Sequence, residues 1–459
     1  MRRVVALVGL AMLVALATVG AKQNTDFGRM FPDAPAFQPA DQLLVDLALA
    51  MKDPNSPAND NPDGVPSGFT YIGQFLDHDL TLDATPLGDA NIDIAAMVNG
   101  RTPRLDLDSL YGGGQSGSPQ LYDGARFTFS SPNGFEDLQR SESGRAIIAE
   151  GRNDENLVVA QIQIAFQKFH NALIDQGLSF SQAQQVVRWH WQWIVVHEFL
   201  PHIVGQDTVD ALIEFNGAGK PRFAGTFYDA GDKVRPTMPI EFSAAAYRFG
   251  HSMVRLAYIM PTGSTTKTQV FNATGNDLHG SRPIPPNLKI DFNNFFDIPG
   301  HPVPAGRNIS RKIDGLISAS LYNLPIGPVV PPEPPAVTSL AERNLLRGKR
   351  LGLASYQDVA LAMGIAPYTN AELDPTGTLG LANPAWGGKV PLWFGILQES
   401  GLAEQGKRLG PTGGRIVAEV IIGIIDADRD SYFHSPQAWS PEGGSFGIAD
   451  LLLTVGAVE

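Results

Sequence analysis

Apolar positions along this chain recur mostly at intervals of three and four residues, which puts them on one side of an α-helix, and seldom alternate as in a half-buried strand. The pattern predicts helices over Phe69 to Asp79, Asn156 to Gln176, Ser181 to Phe199, Phe242 to Val254, Thr338 to Arg350 and Gly414 to Asp426. Gly and Pro concentrate between them: "GGGQSGSP" after Tyr111, the stretch from Pro261 to Pro304, and "PIGPVVPPEPPAV" from Pro325 to Val337. The last stretch could link two domains, but a surface loop is preferred, because residues needed for one site stand on both sides of it. No repeat period is visible, which argues against a solenoid. The expectation is a mainly α fold with long irregular loops and little β structure.

Composition narrows the classes. With 459 residues, 43% of them hydrophobic, the chain can build a large core. A net charge of −13 and the lack of a basic stripe argue against a nucleic-acid partner. The chain has no Cys, which excludes disulfides, thiolate catalysis and Cys-bound zinc. Arg2 and Arg3, an apolar run from Val4 to Ala17 and the small residues Val19-Gly20-Ala21 read as an export signal, residues 1–21, ahead of a mature chain of residues 22–459. The run falls short of the ~20 apolar residues of a spanning helix, so a secreted or periplasmic protein with no stable membrane span is expected.

Four segments carry candidate chemistry. In "IGQFLDHDLT", Gln74 and His78 stand one helical turn apart and share a face, while Asp77 and Asp79 flank the His. A His there can take a proton and return it, although the turn alone equally fits a solvated acidic helix. "TPRLDLDSLYG" sets Thr102, Arg104, Asp106 and Asp108 at every second position, so that hard oxygen donors could converge on calcium; an exposed polar turn is the bland alternative. "GRNDENLVVAQIQIAFQKFHN" opens with Arg152 and Glu155, one turn apart. The Arg can stabilise a developing negative oxygen without titrating, while acidic residues suit any helix start. In "FSAAAYRFGHSMVR", small residues let a flat ligand approach His251, which could bind a haem iron, although a lone His on an apolar face is more often packed in a core.

Taken in order, "GQFLDHDLT", "TPRLDLDSLYG", "GRNDENLVVAQIQIAFQKFHN", "AAAYRFGHSMV" and "ERNLLRGKRLGL" resemble the animal haem peroxidase family, the myeloperoxidase, lactoperoxidase and cyclooxygenase superfamily. The resemblance implies a single helical domain that binds haem b, reduces hydrogen peroxide and oxidises a small donor (halide, thiocyanate or phenol) through a ferryl intermediate. By that resemblance His78 handles the peroxide proton, Gln74 holds water or halide, and Arg152 is the catalytic Arg. It makes His251 the iron ligand, Asn344 the acceptor of that ligand's second ring N–H, and Arg248 the partner of a haem propionate. Asp77 and Glu155 match the carboxylates that form ester bonds to haem methyl groups; Asn156 stands where myeloperoxidase has a vinyl-linked Met, so that third link should be absent. Asp79, Thr102, the Arg104 carbonyl, Asp106 and Asp108 match the calcium site. The disulfides of the vertebrate enzymes are missing.

Other readings compete. Fatty-acid dioxygenases of the superfamily need a Tyr three residues before the iron ligand; here that position is Arg248, and Tyr247 would point about 100° away on a helix. "HEFLPH" invites a zinc hydrolase, but His197 and His202 are one residue too far apart and Pro201 should interrupt the helix. "DADRDS" from Asp426 lacks the Gly and Glu of a calcium loop, and His170 is read as structural. A non-catalytic exported haem-binding or adhesion protein is the alternative from another class. Retention of Gln74, His78 and Arg152 together speaks against it, since capture needs little beyond a ligand and a pocket.

Overall fold

Residues 26–53, 64–231, 235–272, 275–325 and 337–458 are described in a computed structural model. Among them, the helices of seven or more residues are α1 (Asp41–Ala50), α2 (Gly68–Leu80), α3 (Leu157–Asp175), α4 (Phe180–Ile194), α5 (Leu340–Arg350), α6 (Tyr356–Ala362), α7 (Leu392–Ala403), α8 (Pro411–Ala427) and α9 (Ile448–Thr454). The strands form only two-stranded sheets of two or three residues per strand. Those sheets pin loops to helices and form no layer of their own, as expected of a mainly α fold. No helix among the described residues is long and apolar enough to cross a membrane, and the export segment and most of the Pro-rich loop (326–336) lie outside them.

Helices α3 and α8 are buried on nearly every side and make the centre of the core. Buried carboxylates help to fix their surroundings. Glu399 on α7 accepts from the backbone N–H of Thr412 at 2.9 Å and from the Thr412 hydroxyl at 2.7 Å, meeting the open donors at the start of α8. Farther along α8, Glu419 accepts the backbone N–H groups of Phe227 and Tyr228 at 2.7 and 2.9 Å. Each carboxylate replaces water for donors that a loop would otherwise bury unpaired.

Helices α2, α3, α5 and α8 lie where the periodicity predicts them. Two expectations need correction. The run expected as one helix from Phe242 to Val254 is three pieces: Ile240–Ser243, a 3₁₀ turn Ala246–Phe249, and Gly250–Met253. Ala245 leaves the helical region at φ −136°, ψ −78°, and packing rewards the break. Phe242 stacks on Tyr247 with centroids 4.7 Å apart, and the freed Ser243 carbonyl accepts from Arg248 Nε at 3.0 Å. The second correction concerns Pro201. After α4 a π-turn, Val195–Phe199, leads directly into Leu200–Val204, so the Pro ring falls in the first turn of a new segment and interrupts nothing.

Candidate functional site

His78 occupies the last turn of α2 and is buried at 5% exposure. The helix ends where Thr81 turns extended, and the Thr81 hydroxyl donates to Asp77 Oδ1 at 2.9 Å, holding that carboxylate beside the His. His78 Nδ1 lies 2.8 Å from Asn153 Oδ1. Burial, reinforced by the Arg152 charge, lowers the imidazole to about 4, so the ring is neutral near pH 7. A neutral imidazole can accept a proton.

Arg152 and Asn153 lie on a 3₁₀ turn, Gly151–Asp154, that Glu150 caps. The Glu150 carboxylate accepts from Arg152 Nε at 3.1 Å and Nη2 at 2.9 Å; Nη2 also donates to the carbonyls of Thr81 (2.7 Å) and His78 (3.3 Å). The turn is clamped from outside. Arg140 donates to both oxygens of Asp154 (2.8 and 2.9 Å) and both of Asp137 (3.0 Å each), with its side chain 3% exposed. The 279–281 loop approaches so closely that a Cβ on Gly280 would lie 1.9 Å from the Asp154 carbonyl, so only Gly fits. Next, Asn156 caps α3 by accepting from the Val158 N–H at 2.8 Å.

On the opposite wall His251 stands in the third piece of the broken run, with Asn344 of α5 behind it. Asn344 Nδ2 lies 2.7 Å from His251 Nδ1, while Asn344 Oδ1 accepts from Arg248 Nη1 at 2.7 Å. This amide orientation is the reverse of the acceptor role expected of Asn344. The reason is Arg248, which can only donate and so claims the carbonyl oxygen. Burial and the neighbouring Arg248 cation lower His251 to about 3, which keeps it neutral. An amide NH₂ facing Nδ1 leaves the ring proton on Nε2, so binding a metal through Nε2 would require the Asn344 amide to turn and present its oxygen to Nδ1.

These groups line a single cavity of about 340 Å³, within the roughly 300–1,000 Å³ of cofactor sites. Gln74, Asp77 and His78 face it from α2, Arg152 and Glu155 from the turn, and Arg248 and His251 from the other wall. Much of the rest is apolar, including Phe69, Met253, Val270, Phe271 and Leu321. Burial pushes the Glu155 carboxyl up to about 7 against the pull of Arg152. Tyr247 also lines the cavity, its hydroxyl donating to the Gly73 carbonyl at 3.1 Å. The 3₁₀ turn places it there, contrary to the helical projection.

Next to His78, on the far side of α2, Asp79, Asp106 and Asp108 each offer an oxygen within 4.8 Å of the others. Leu107, in the left-handed region at φ 57°, bends the segment around Asp79, which accepts from the Leu107 N–H at 3.1 Å and the Ser109 hydroxyl at 2.9 Å. Thr102 Oγ1 donates to Asp106 Oδ1 at 3.0 Å. Burial and mutual repulsion raise Asp79 well above the usual carboxylate range and Asp108 to about 6. Asp108 Oδ1 is buried without a hydrogen bond among the described residues, and its ion pair with Arg101 Nη1 is long, at 3.6 Å. The Arg104 side chain turns away to Asp106 Oδ2 (3.2 Å) and Asp428 (3.4 Å).

The remaining motifs fall elsewhere. Exposed His197 stacks on Trp193, and His202 packs on the Phe69 ring, so the two do not converge. His170 is buried between the Tyr111 hydroxyl and the Ala125 carbonyl. Glu150, Asn153 and Arg140 escaped the sequence reading because their partners are distant or irregular. One signal was present for Asn153: Gln163 in the otherwise apolar "LVVAQIQIAF" demands a buried polar partner, and it accepts from Asn153 Nδ2 at 2.7 Å.

Comparison with known proteins bears on the fold and the family. Peroxidase A from Dictyostelium discoideum superposes with a TM-score of 0.67 at 18% identity, covering 95% of this chain and 94% of that one. A fatty acid alpha-dioxygenase from Arabidopsis thaliana gives 0.63 at 17% identity, covering 95% and 76%. Both likenesses show the fold. The chorion peroxidase of Drosophila melanogaster is 24% identical over 408 residues, 81% of this chain and 47% of that protein. The matches span about half the length of such curated relatives. A family model described as animal haem peroxidase matches residues 88–443, a stretch that begins after α2 and takes in Arg152, His251 and Asn344. By that match, the chain belongs to the animal haem peroxidase family.

Proposed function

We propose that this protein binds haem b through His251 and reduces hydrogen peroxide at the expense of a small donor such as a halide, thiocyanate or a phenol. The observation that carries the reading is that His78, Arg152, Gln74 and His251 all line one cavity. Haem, when bound, supplies the redox chemistry. His78, neutral and with Nδ1 committed to Asn153, has Nε2 left to take a proton from peroxide and return it to the departing oxygen, which leaves as water. Arg152 is a fixed cation for the charge that develops on that oxygen, and its Nη1 makes no hydrogen bond with another described residue. Gln74 would hold a water or halide at the same wall.

The donor set fits the group: a neutral buried imidazole, largely apolar walls, and Arg248 to meet a propionate. Asp77 and Glu155 line the same cavity and would be the carboxyls to form ester links, while Asn156, with no thioether, would leave the third link absent. Calcium would relieve the repulsion among Asp79, Asp106 and Asp108 and engage Asp108 Oδ1, which makes no hydrogen bond among the described residues, with Thr102 and the Arg104 carbonyl completing the set.

The decisive experiment is to load the protein with haem, record its visible spectrum and follow peroxide-dependent oxidation of guaiacol, iodide and thiocyanate. Turnover supports the reading; a haem spectrum without turnover favours haem capture. A second reading, fatty-acid dioxygenase, gains from Tyr247 at the cavity wall. Oxygen uptake with a fatty acid that disappears in Tyr247→Phe would establish it.

A further inference from the structure

We infer that Asn153 and Gln163 are positioning residues that decide which nitrogen of His78 carries the proton. The inference rests on the reading of His78 as the group that handles the peroxide proton. A neutral imidazole has two tautomers, and only the one protonated at Nδ1 leaves a lone pair on Nε2. His78 Nδ1 sits 2.8 Å from Asn153 Oδ1. A carbonyl oxygen can only accept, so this contact requires the proton on Nδ1.

The amide is oriented in turn by its other end. Asn153 Nδ2 donates to Gln163 Oε1 at 2.7 Å. His78, Asn153 and Gln163 are 5%, 0% and 0% exposed, so no bulk water competes to turn the chain of bonds round. A half-turn of the Asn153 amide would set an NH₂ against Nδ1, drive the proton to Nε2 and leave no base. The bond from Asn153 Nδ2 is what orients the Gln163 amide, which presents its oxygen to Asn153. Its own Nε2 lacks a partner among the described residues, as does Gln167 Oε1 one turn along α3, so a buried donor and a buried acceptor share one helix face. The Arg140 clamp on Asp154 holds the neighbouring Asn153 in register with His78.

The test is nitrogen-15 NMR on the histidine-labelled full chain loaded with diamagnetic zinc porphyrin, the His78 signals being identified by their loss in His78→Ala. The parent should show Nδ1 protonated and Nε2 bare; the opposite tautomer in the parent overturns the inference without any variant. Asn153→Leu, which removes the acceptor at similar size, should shift the ring towards the Nε2–H form and slow the peroxide reaction of the haem form roughly 10–100-fold. Asn153→Asp, an acceptor only, should restore both the tautomer and the rate. A parent-like tautomer in Asn153→Leu, or failure of Asp to preserve it, sinks the idea. His78→Ala reacting at the parent rate would instead remove the peroxide role of His78 and leave the tautomer assignment standing.

Discussion

His78 ends an unbroken thirteen-residue helix, whereas His251 stands in a run, residues 240–253, that is two short α pieces separated by a 3₁₀ turn. The surroundings differ as well. The His78 wall is laced by charge and amide: Glu150 on Arg152, Arg140 on Asp154, Asn153 on His78, and the carboxylates of Asp106 and Asp108 beside Asp79. The His251 wall rests on one side-chain amide, Asn344, shared with Arg248, on bonds to main-chain carbonyls from Arg248, Tyr247 and Trp393, and on apolar packing. The contrast fits the two tasks proposed for these rings. A metal ligand is oriented by the bond it makes and needs one partner for its free nitrogen, while a proton carrier makes no such bond and must be aimed by the protein.

The largest effects should therefore separate the two rings. His251→Ala should abolish haem retention on gel filtration while the circular dichroism stays parental. His78→Ala should keep haem and lose about 10²–10⁴-fold in the rate of peroxide reduction, the usual worth of a positioned acid–base group. Haem loss in both variants would erase the distinction.

Next in size is the clamp behind Arg152. Arg140→Met removes one partner and leaves Asp137 and Asp154 buried and uncompensated, so denaturant unfolding should report a loss of about 3–5 kcal/mol. A loss under about 1 kcal/mol would mean that the Gly280 contact holds the turn unaided.

Removal of calcium should be felt more on the His78 side. EGTA should lower the melting temperature of the parent by about 1–2 degrees, as a loss of about 1–2 kcal/mol would in a chain this size, and should also slow the peroxide reaction, because Asp79 neighbours His78. Asp106→Asn should already be low and indifferent to the chelator. An equal response in parent and variant would place the effect outside the acidic cluster.

The same contrast explains what was legible in the sequence. Helix α2 was readable, and with it the relation of Gln74 to His78, because spacing within a regular helix is geometry. The break at Ala245 was not, since Ala is compatible with helix everywhere and the break is rewarded by Phe242 meeting Tyr247. For the same reason the place of Tyr247 was misjudged. Helices α1 and α7 were missed because "DQLLVDLALA" and "LWFGILQESGLA" are apolar on several sides and leave little periodic contrast. The pairings that tie His78 to Asn153 and Arg152 to the Thr81 carbonyl join residues some 70 apart, which spacing cannot show.

The smallest effect concerns Glu155, whose carboxyl is raised to about 7 by burial on the His78 wall. In the haem-free protein the folded state keeps that proton from about pH 4.5 to 7, while the unfolded chain has released it. The folded form thus binds more protons in this window, and its stability falls as pH rises through it. Glu155→Gln cannot titrate, so its stability should lose that slope, a difference of at most about 3 kcal/mol across the window and less to the extent that cavity water solvates the charge. The profile is read by denaturant unfolding at a series of pH values. Parallel profiles would mean that Glu155 is already hydrated, and a hydrated carboxylate at that wall would weaken the view that burial readies it for a bond to haem.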